Sequence, residues 1–120
     1  MGATACYFQF NSPQLKAQSE FLTNLFDWTV EGDDDHAFFS HRGEATAING
    51  DIEPTNDELP TGVILYWEVE DLQEKCDQAV TLGGSVVTAP TDLPNNYGSI
   101  ALIRDLDGNI LGLYRRPLVS

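Results

Sequence analysis

The sequence predicts an α+β fold, with one domain that contains two copies of a β-α-β-β-β unit. Its 120 residues are the length of a single domain, and the hydrophobic pattern runs strand, helix and three strands twice in succession. The two halves also align at a constant offset of 59, because residues 7–12 (YFQFNS) match residues 66–71 (YWEVED) in character. The predicted organisation is a single domain (1–120) with a first module at 4–49, an acidic linker at 50–61 and a second module at 62–116.

The first module begins with a strand and a helix. Residues 4–10 (TACYFQF) are rich in β-branched and aromatic side chains, which favour a strand. Ser12 is a candidate N-cap, and Pro13 suits the first helical position, where its missing N–H costs nothing. Apolar side chains then recur at helical spacing and predict a helix over residues 13–26 with one apolar face. Three short strands are predicted to follow, at 28–31, 36–41 and 44–49.

Composition separates the linker from the second module. The linker contains two prolines and many acidic side chains, which are typical of a loop, whereas residues 62–69 (GVILYWEV) form the strongest strand pattern in the chain. Asp71 is followed by Glu74 at the spacing of a capping box, so a second helix is predicted to begin there. Gly83 and Gly84 mark the end of that helix. The closing strands are predicted at 85–88, 97–104 and 109–114.

The charge of the chain excludes some partners. Six Lys and Arg stand against nineteen Asp and Glu, so the formal net charge is −13. Nucleic acids and anionic membranes would be repelled, and both are therefore predicted not to be partners. Cys6 and Cys76 are the two cysteines and do not form a Cys-x-x-Cys pair, which favours free thiols in a reducing cytoplasm. No apolar run approaches the ~20 residues of a membrane span, and the N-terminus leads directly into a strand pattern without a signal peptide.

Four stretches of the sequence together resemble a known superfamily. They are residues 19–28 (SEFLTNLFDW), 68–72 (EVEDL), 82–87 (LGGSVV) and 105–110 (DLDGNI). In their order and spacing they resemble the vicinal oxygen chelate superfamily, which includes glyoxalase I, extradiol dioxygenases and bleomycin-resistance proteins. Asp27 departs from the pattern, since glycine is commoner at that position. The resemblance implies that two βαβββ modules form curved mixed sheets with a central cleft, where the ligand sits. It also implies a homodimer.

Strand alternation indicates which side chains would face the implied cleft. Successive side chains of a strand point to opposite faces. The apolar set Cys6, Phe8 and Phe10 is expected to pack on the first helix, and Leu65, Trp67, Val69, Leu111 and Leu113 on the second. The candidate ligand-binding residues on the other face are Tyr7, Gln9, Asn49, Tyr66, Glu68 and Tyr114. The tyrosines would form aromatic walls with polar tips, and the predicted cleft face carries no Lys or Arg, which favours an uncharged or cationic ligand.

The resemblance also implies where a metal would be held. Enzymes of the superfamily bind a divalent metal through His, Gln or Glu on the first, fourth, fifth and eighth strands. The corresponding residues here are Ala5, Ala47, Ile64 and Gly112, and none of them can ligate a metal. A shift of two residues in the alignment would bring in Gln9 or Tyr66, but not a full set of ligands. We therefore expect no metal and no other cofactor.

Three functions remain open at this stage. The first is a metal-independent protein that binds a small organic molecule, similar in kind to bleomycin-resistance proteins. The second is an enzyme of the same superfamily, either a dioxygenase-type metalloenzyme or a lyase or isomerase in which Glu68 is the general base. The third is an accessory module that acts through dimerisation. His36 and His41 are predicted to lie on opposite faces of one strand, which argues against a shared site.

Overall fold

A computed structural model describes residues 2–32, 37–40 and 48–117. By its internal contacts the chain divides into two compact units. The first unit spans Cys6–Ile64, and the second begins at Leu65 and includes the N-terminal Met1–Ala5. No helix in the described ranges is long and apolar enough to cross a membrane.

The first unit contains one helix and four strands in the order β-α-β-β-β, counting the strand Thr4–Ser12 with this unit and the strand Gly62–Glu68 with the second, since most of each strand lies there. Its elements are β1 (Thr4–Ser12), α1 (Leu15–Phe26), β2 (Thr29–Gly32), β3 (Ala37–Ser40) and β4 (Asn49–Pro54). The strands lie side by side in the order β2-β3-β4-β1, and β1 runs parallel to β4 while the other neighbours are antiparallel. His36, His41 and the segment 44–47 lie outside the described residues.

The second unit repeats this arrangement. Its elements are β5 (Gly62–Glu68), α2 (Leu72–Thr81), β6 (Ser85–Asp92), a 3-10 turn (Pro94–Asn96), β7 (Ser99–Arg104) and β8 (Ile110–Arg115). The strand order is β5-β8-β7-β6, with β5 parallel to β8 and the other neighbours antiparallel. The α+β class and the duplicated βαβββ unit are therefore confirmed.

The two helices begin in different ways. Asp71 is the predicted N-cap of α2, and its Oδ1 accepts a hydrogen bond from the Glu74 backbone N–H at 3.1 Å. The prediction for α1 was wrong by two residues, because β1 continues through Ser12, which pairs with Pro54 of β4. The Ser12 hydroxyl accepts from the Gln14 N–H at 3.0 Å instead of capping a helix that starts at Pro13. Pairing with β4 thus holds Ser12 in the strand.

The fourth strand extends beyond the end that the sequence predicts. The described strand covers Asn49–Pro54, so residue 49 lies in the predicted strand 44–49, and residues 50–54 lie in the segment predicted to be the acidic linker. Ile52 is completely buried and faces the core, and β4 pairs with both β1 and β3. These tertiary contacts outweigh the loop-like composition of the segment, as is common for strands. The extension places two acidic side chains, Asp51 and Glu53, on the sheet.

Each helix packs on one face of the strands of its own unit. The core of the first unit consists of Leu15, Leu22, Ala37, Phe39 and Ile52, with Phe8, Phe10 and Trp28 packed against it. The core of the second unit consists of Leu72, Cys76, Ala101, Ile103 and Leu113, with Val69, Ala79 and Leu111 packed against it. The predicted core positions on β1 and β8 are therefore confirmed at Phe8, Phe10, Leu111 and Leu113.

Part of the predicted apolar surface is exposed. Helix α1 buries Leu15 and Leu22, which are two turns apart, whereas Phe21, Leu25 and Phe26 are more than half exposed. Leu65 of β5, also predicted to be in the core, is 40% exposed. The buried stripe of α1 is thus narrower than its hydrophobic pattern.

Candidate functional site

Polar side chains cover the face of the first unit that α1 does not cover. The parallel pairing of β1 with β4 sets Tyr7 beside Asn49, Gln9 beside Asp51 and Asn11 beside Glu53. Paired residues point to the same side of a sheet, and the residues between them pack on the helix side. We call this surface the polar face, and its members are Tyr7, Gln9, Asn11, Asn49, Asp51 and Glu53.

Three members of the polar face are buried. Gln9, Asn11 and Asp51 are only 7%, 3% and 8% exposed. The Gln9 Nε2 donates a hydrogen bond to Asn11 Oδ1 at 2.7 Å. Asp51 Oδ1 accepts no hydrogen bond from a described donor group. The Asp51 side chain is nevertheless hydrogen-bonded to Glu53, and two carboxyl groups bond to each other only through a proton.

The Asp51 carboxyl group has an unusual affinity for protons. Burial raises its pKa to about 8, and the nearby charge and hydrogen bond of Glu53 act in the same direction. A hydrogen bond donated by the Tyr7 hydroxyl opposes them. The ring of Tyr7 is also stacked on Phe38, with ring centroids 6.4 Å apart. Asp51 is therefore protonated at neutral pH, next to an aromatic pair and a second carboxyl group.

In the second unit, Tyr66 covers a glycine. Tyr66 of β5 pairs with Gly112 of β8, and a Cβ added at Gly112 would overlap the tyrosine ring. Tyr66 is 4% exposed, so its ring is part of the packed sheet rather than an open surface. The Tyr66 ring thus occupies the space that a side chain at position 112 would need.

Glu68 forms an ion pair with an arginine. Its carboxylate forms an ion pair with the guanidinium of Arg116, which follows β8 and is exposed. Arg116 is not one of the residues assigned to the predicted cleft face, but the parallel pairing of β5 with β8 brings the ends of the two strands together and so brings Arg116 to Glu68. A carboxylate that is already paired with a cation is a weaker candidate for a general base.

Tyr114 contacts the loop between β6 and β7. Its hydroxyl donates to the Tyr97 carbonyl oxygen at 2.7 Å, and its ring lies against Gly98, which has a φ of +106°. A Cβ at Gly98 would meet both the Arg115 carbonyl oxygen and the Tyr114 ring. The donor hydrogen of Tyr114 is thus used in a backbone contact, which leaves the hydroxyl only as an acceptor for a ligand.

The residues at the implied metal positions do not fit a metal. Ala5, Ile64 and Gly112 offer no donor side chain, and Ala47 lies outside the described residues. Within the described ranges, no three His, Cys, Asp or Glu side chains lie close enough together to hold a metal ion. We therefore derive no reaction step through a metal.

A separate groove of about 580 Å³ lies in the second unit beside α2. Its lining includes Lys75, Ala79, Leu82, Ile103 and Leu106. It contains none of the six candidate ligand-binding residues. The groove also has the polar lining residues Gln78, Arg104 and Asp105. These three residues belong to the exposed or half-exposed surface, whereas Gln9, Asn11 and Asp51 of the polar face are buried, so the groove is the weaker candidate site.

Sequence reasoning missed Asn11, Asp51 and Glu53. The signal that would have found the acidic pair is the period-two pattern of residues 49–53 (NGDIE), in which polar residues alternate with Gly50 and Ile52. Prolines and acidity in the same stretch favour a loop, and they obscured this alternation.

Comparison with known proteins identifies related chains. A model of the Glyoxalase/Bleomycin resistance protein/Dioxygenase superfamily matches residues 6–113. The anthracycline biosynthesis protein DauV of Streptomyces sp. (strain C5) is 26% identical over 136 residues, which cover 99% of this chain and 49% of DauV. The chain thus spans about half the length of this curated relative.

Solved structures share the fold. The Mn(II)-bound glyoxalase from Novosphingobium aromaticivorans superimposes with a TM-score of 0.69 at 12% identity, over 96% of this chain and 38% of that one. Methylmalonyl-CoA epimerase from Mycobacterium tuberculosis superimposes with a TM-score of 0.63 at 19% identity, over 98% of this chain and 94% of that one. At these identities the likeness concerns the fold alone.

Proposed function

The chain belongs to the glyoxalase/bleomycin resistance protein/dioxygenase superfamily, and from that premise we propose that it binds a small uncharged or cationic organic molecule without a metal. Membership in a superfamily does not decide the function, because one fold supports many sites. The proposal must therefore rest on the residues of the site.

The observation that carries it is the buried polar face of the first unit. Gln9, Asn11 and Asp51 are at least nine-tenths buried, and Asp51 is hydrogen-bonded to Tyr7 and Glu53 on the same face. A buried polar cluster of this kind contributes less to folding than apolar packing would. The half-buried Tyr7 and the exposed Asn49 lie beside it, where they are open to a ligand.

A thermal-shift screen tests this function. Uncharged, cationic and anionic organic compounds are added to the purified protein, and a ligand at 100 times its Kd should stabilise the fold by about 2.7 kcal/mol. We expect hits among the first two classes, and we expect Gln9→Ala to lose the shift. Gln73→Ala, an exposed glutamine on α2, is the matched control and should keep it.

Two results would contradict the proposal. If Gln9→Ala keeps the full shift of every hit, the ligand does not bind at the polar face. If elemental analysis of the purified protein finds stoichiometric Zn, Mn, Fe or Ni, the protein is not metal-independent.

The alternative is a lyase or isomerase. The observation in its favour is the raised pKa of Asp51, since a carboxyl group that titrates near neutral pH suits proton transfer. Glu68, the base that the sequence suggests, is instead paired with Arg116. Proton NMR of each hit compound in D₂O with the protein separates the two functions, because only an enzyme of this kind exchanges a carbon-bound hydrogen for deuterium.

A further inference from the structure

We propose that the groove beside α2 binds an organic carboxylate with an apolar body, a class of ligand that the proposed function does not include. The apolar body would lie on Leu82, Ile103 and Leu106, and the carboxylate would be bound by Lys75 and Arg104. The volume of about 580 Å³ is within the range of small-molecule sites. This inference goes beyond the proposed function, because the groove lies in the second unit and shares no residue with the polar face.

The walls of the groove are formed by the end of α2 and by the turn between β7 and β8 (105–109). Glycines allow these two segments to approach each other closely. A Cβ at Gly83 would lie 3.0 Å from the Leu106 side chain, and a Cβ at Gly84 would overlap the Arg104 carbonyl oxygen. A backbone hydrogen bond of 3.0 Å joins the first and last residues of the turn. Leu106 is therefore presented by a closed turn that packs on the end of the helix.

The groove exposes apolar side chains. Leu82 and Leu106 are 68% and 77% exposed, and Ile103 and Leu113 supply a buried apolar lining. Covering the exposed leucines with an apolar group removes their surface from water, which is favourable. Apolar contact does not distinguish ligands by charge, so the class of the ligand depends on the cations of the groove.

Two cations from different elements line the groove. Lys75 is on α2, and Arg104 is the last residue of β7. Lys75 Nζ donates to Gln78 Oε1 at 3.2 Å, and Arg104 Nη1 donates to the Gly108 carbonyl oxygen at 3.2 Å. Within the described ranges, neither cation forms an ion pair with a carboxylate. An ammonium has three donors and a guanidinium five, so both keep donors that can bind a carboxylate of a ligand.

The acidic residue of the groove is already hydrogen-bonded inside the turn. Asp105 Oδ1 accepts from the backbone N–H groups of Asp107 and Asn109 at 3.0 and 2.8 Å, and Asp105 Oδ2 accepts from the Asn109 side-chain amide at 2.9 Å. Its carboxylate is thus bound by the turn rather than by Lys75 or Arg104. The Debye length is about 8 Å at 0.15 M ionic strength, so salt screens the repulsion from acids elsewhere on the chain.

Titrations followed by ¹H–¹⁵N correlation NMR at pH 7 and physiological ionic strength test the site. The probe is 4-phenylbutyrate, and its neutral and cationic analogues are 4-phenylbutan-1-ol and 4-phenylbutylamine. We expect the carboxylate to shift the amide signals of residues 79–84 and 103–106 and to bind at least about threefold more tightly than either analogue. Gln9→Ala should leave this binding unchanged, so this inference and the proposed function can fail independently.

Matched variants assign the contacts. Lys75→Gln and Arg104→Gln should each weaken the binding of 4-phenylbutyrate about threefold, whereas Lys16→Gln, which removes an exposed lysine charge on α1, should not. Leu106→Ser should weaken it about threefold or more through lost apolar contact, whereas Leu25→Ser, at a leucine that is 59% exposed on α1, should not. The amide spectrum of each variant also shows whether it is folded.

Four results would overturn the inference. If 4-phenylbutyrate shifts no amide signal of these segments, the groove is not its site. If the alcohol or the amine binds as tightly as the carboxylate, the two cations do not select an anion. If inorganic phosphate shifts the same signals with equal affinity, the cations bind a simple anion without the apolar lining. If these signals move with protein concentration in the absence of the probe, a second copy of the chain covers the groove.

Discussion

The residue that decides the chemistry of the first unit is Asp51. Its carboxyl group is buried beside Glu53, so it holds a proton at a pH where an ordinary aspartate is ionised. A group of this kind costs folding free energy whenever the pH favours its ionised form, because the folded protein resists losing the proton. Such a cost is often found at functional positions.

Replacing Asp51 should change how stability depends on pH. The pKa of Asp51 is about 8 in the folded state, raised from the 3.8 that is expected in an unfolded chain. Between these values the folded state binds the proton more tightly, so the contribution of Asp51 to the free energy of unfolding falls as the pH rises. Asparagine does not titrate. The stability of Asp51→Asn relative to the unmodified protein should therefore rise from pH 4 to pH 8, by up to about 1.4 kcal/mol per pH unit.

Urea unfolding at pH 5, 6, 7 and 8, followed by tryptophan fluorescence, measures this difference. Gln73→Ala, on the exposed surface of α2, is the control, since neither side chain titrates, and its stability relative to the unmodified protein should not vary with pH. Parallel pH profiles for Asp51→Asn and the unmodified protein would show that Asp51 titrates normally.

At the scale of elements, the pairing of β5 with β8 determines how much room is left for a side chain at position 112 of β8. The Tyr66 ring lies over Gly112, one of the four implied metal positions. A side chain at 112 would have to displace a ring that is itself buried. The glycine is thus part of an aromatic–glycine pair across two strands rather than an open coordination position.

Gly112→Ala should destabilise the protein through this ring. Overpacking in a buried position costs about 1–3 kcal/mol, and here the added methyl group would overlap Tyr66. In a Tyr66→Ala background the same substitution should cost less than about 1 kcal/mol, because the overlapping ring is gone. Chemical unfolding of the four proteins in this double-mutant cycle gives the coupling energy.

Gly2→Ala, at an exposed glycine with open space around it, is the control and should be neutral. A cost for Gly112→Ala that is equal in both backgrounds would mean that the glycine is needed for its backbone rather than for the ring.

At the scale of the whole molecule, a large negative charge acts on the folded state. The chain has a formal net charge of −13 at pH 7 and a pI near 4.1. Like charges repel in a compact state more than in an expanded chain, so the charge lowers stability. This effect depends on the composition of this chain and not on its fold, since the same fold occurs in structures of only 12–19% sequence identity.

Salt should therefore stabilise the protein at neutral pH. The Debye length falls from about 30 Å at 0.01 M to about 10 Å at 0.1 M ionic strength, and the repulsion is screened accordingly. We expect the Tm at pH 7 to rise between 10 mM and 300 mM NaCl. Near pH 4, where the net charge approaches zero, the same change of salt should have little effect. An equal rise at both pH values would show that the salt acts by another route.

The sequence by itself determined the class of the fold and its duplication. The strand and helix patterns are local, and they recur in both halves, so the βαβββ units and the superfamily follow from them. The Asp71 cap was also predictable, because a capping box involves residues only three apart. The lack of donors at Ala5, Ile64 and Gly112 is likewise a property of the sequence alone.

Only the tertiary structure decided where the fourth strand lies and what it carries. A strand is stabilised by its neighbours, so pairing with β1 and β3 made Asn49–Pro54 a strand despite its loop-like composition. That register placed Asp51 in the polar face and determined its burial and its raised pKa. The pairing of β5 with β8 likewise brought Arg116 to Glu68. The distances between residues far apart in the chain depend on strand register, which short sequence patterns do not encode.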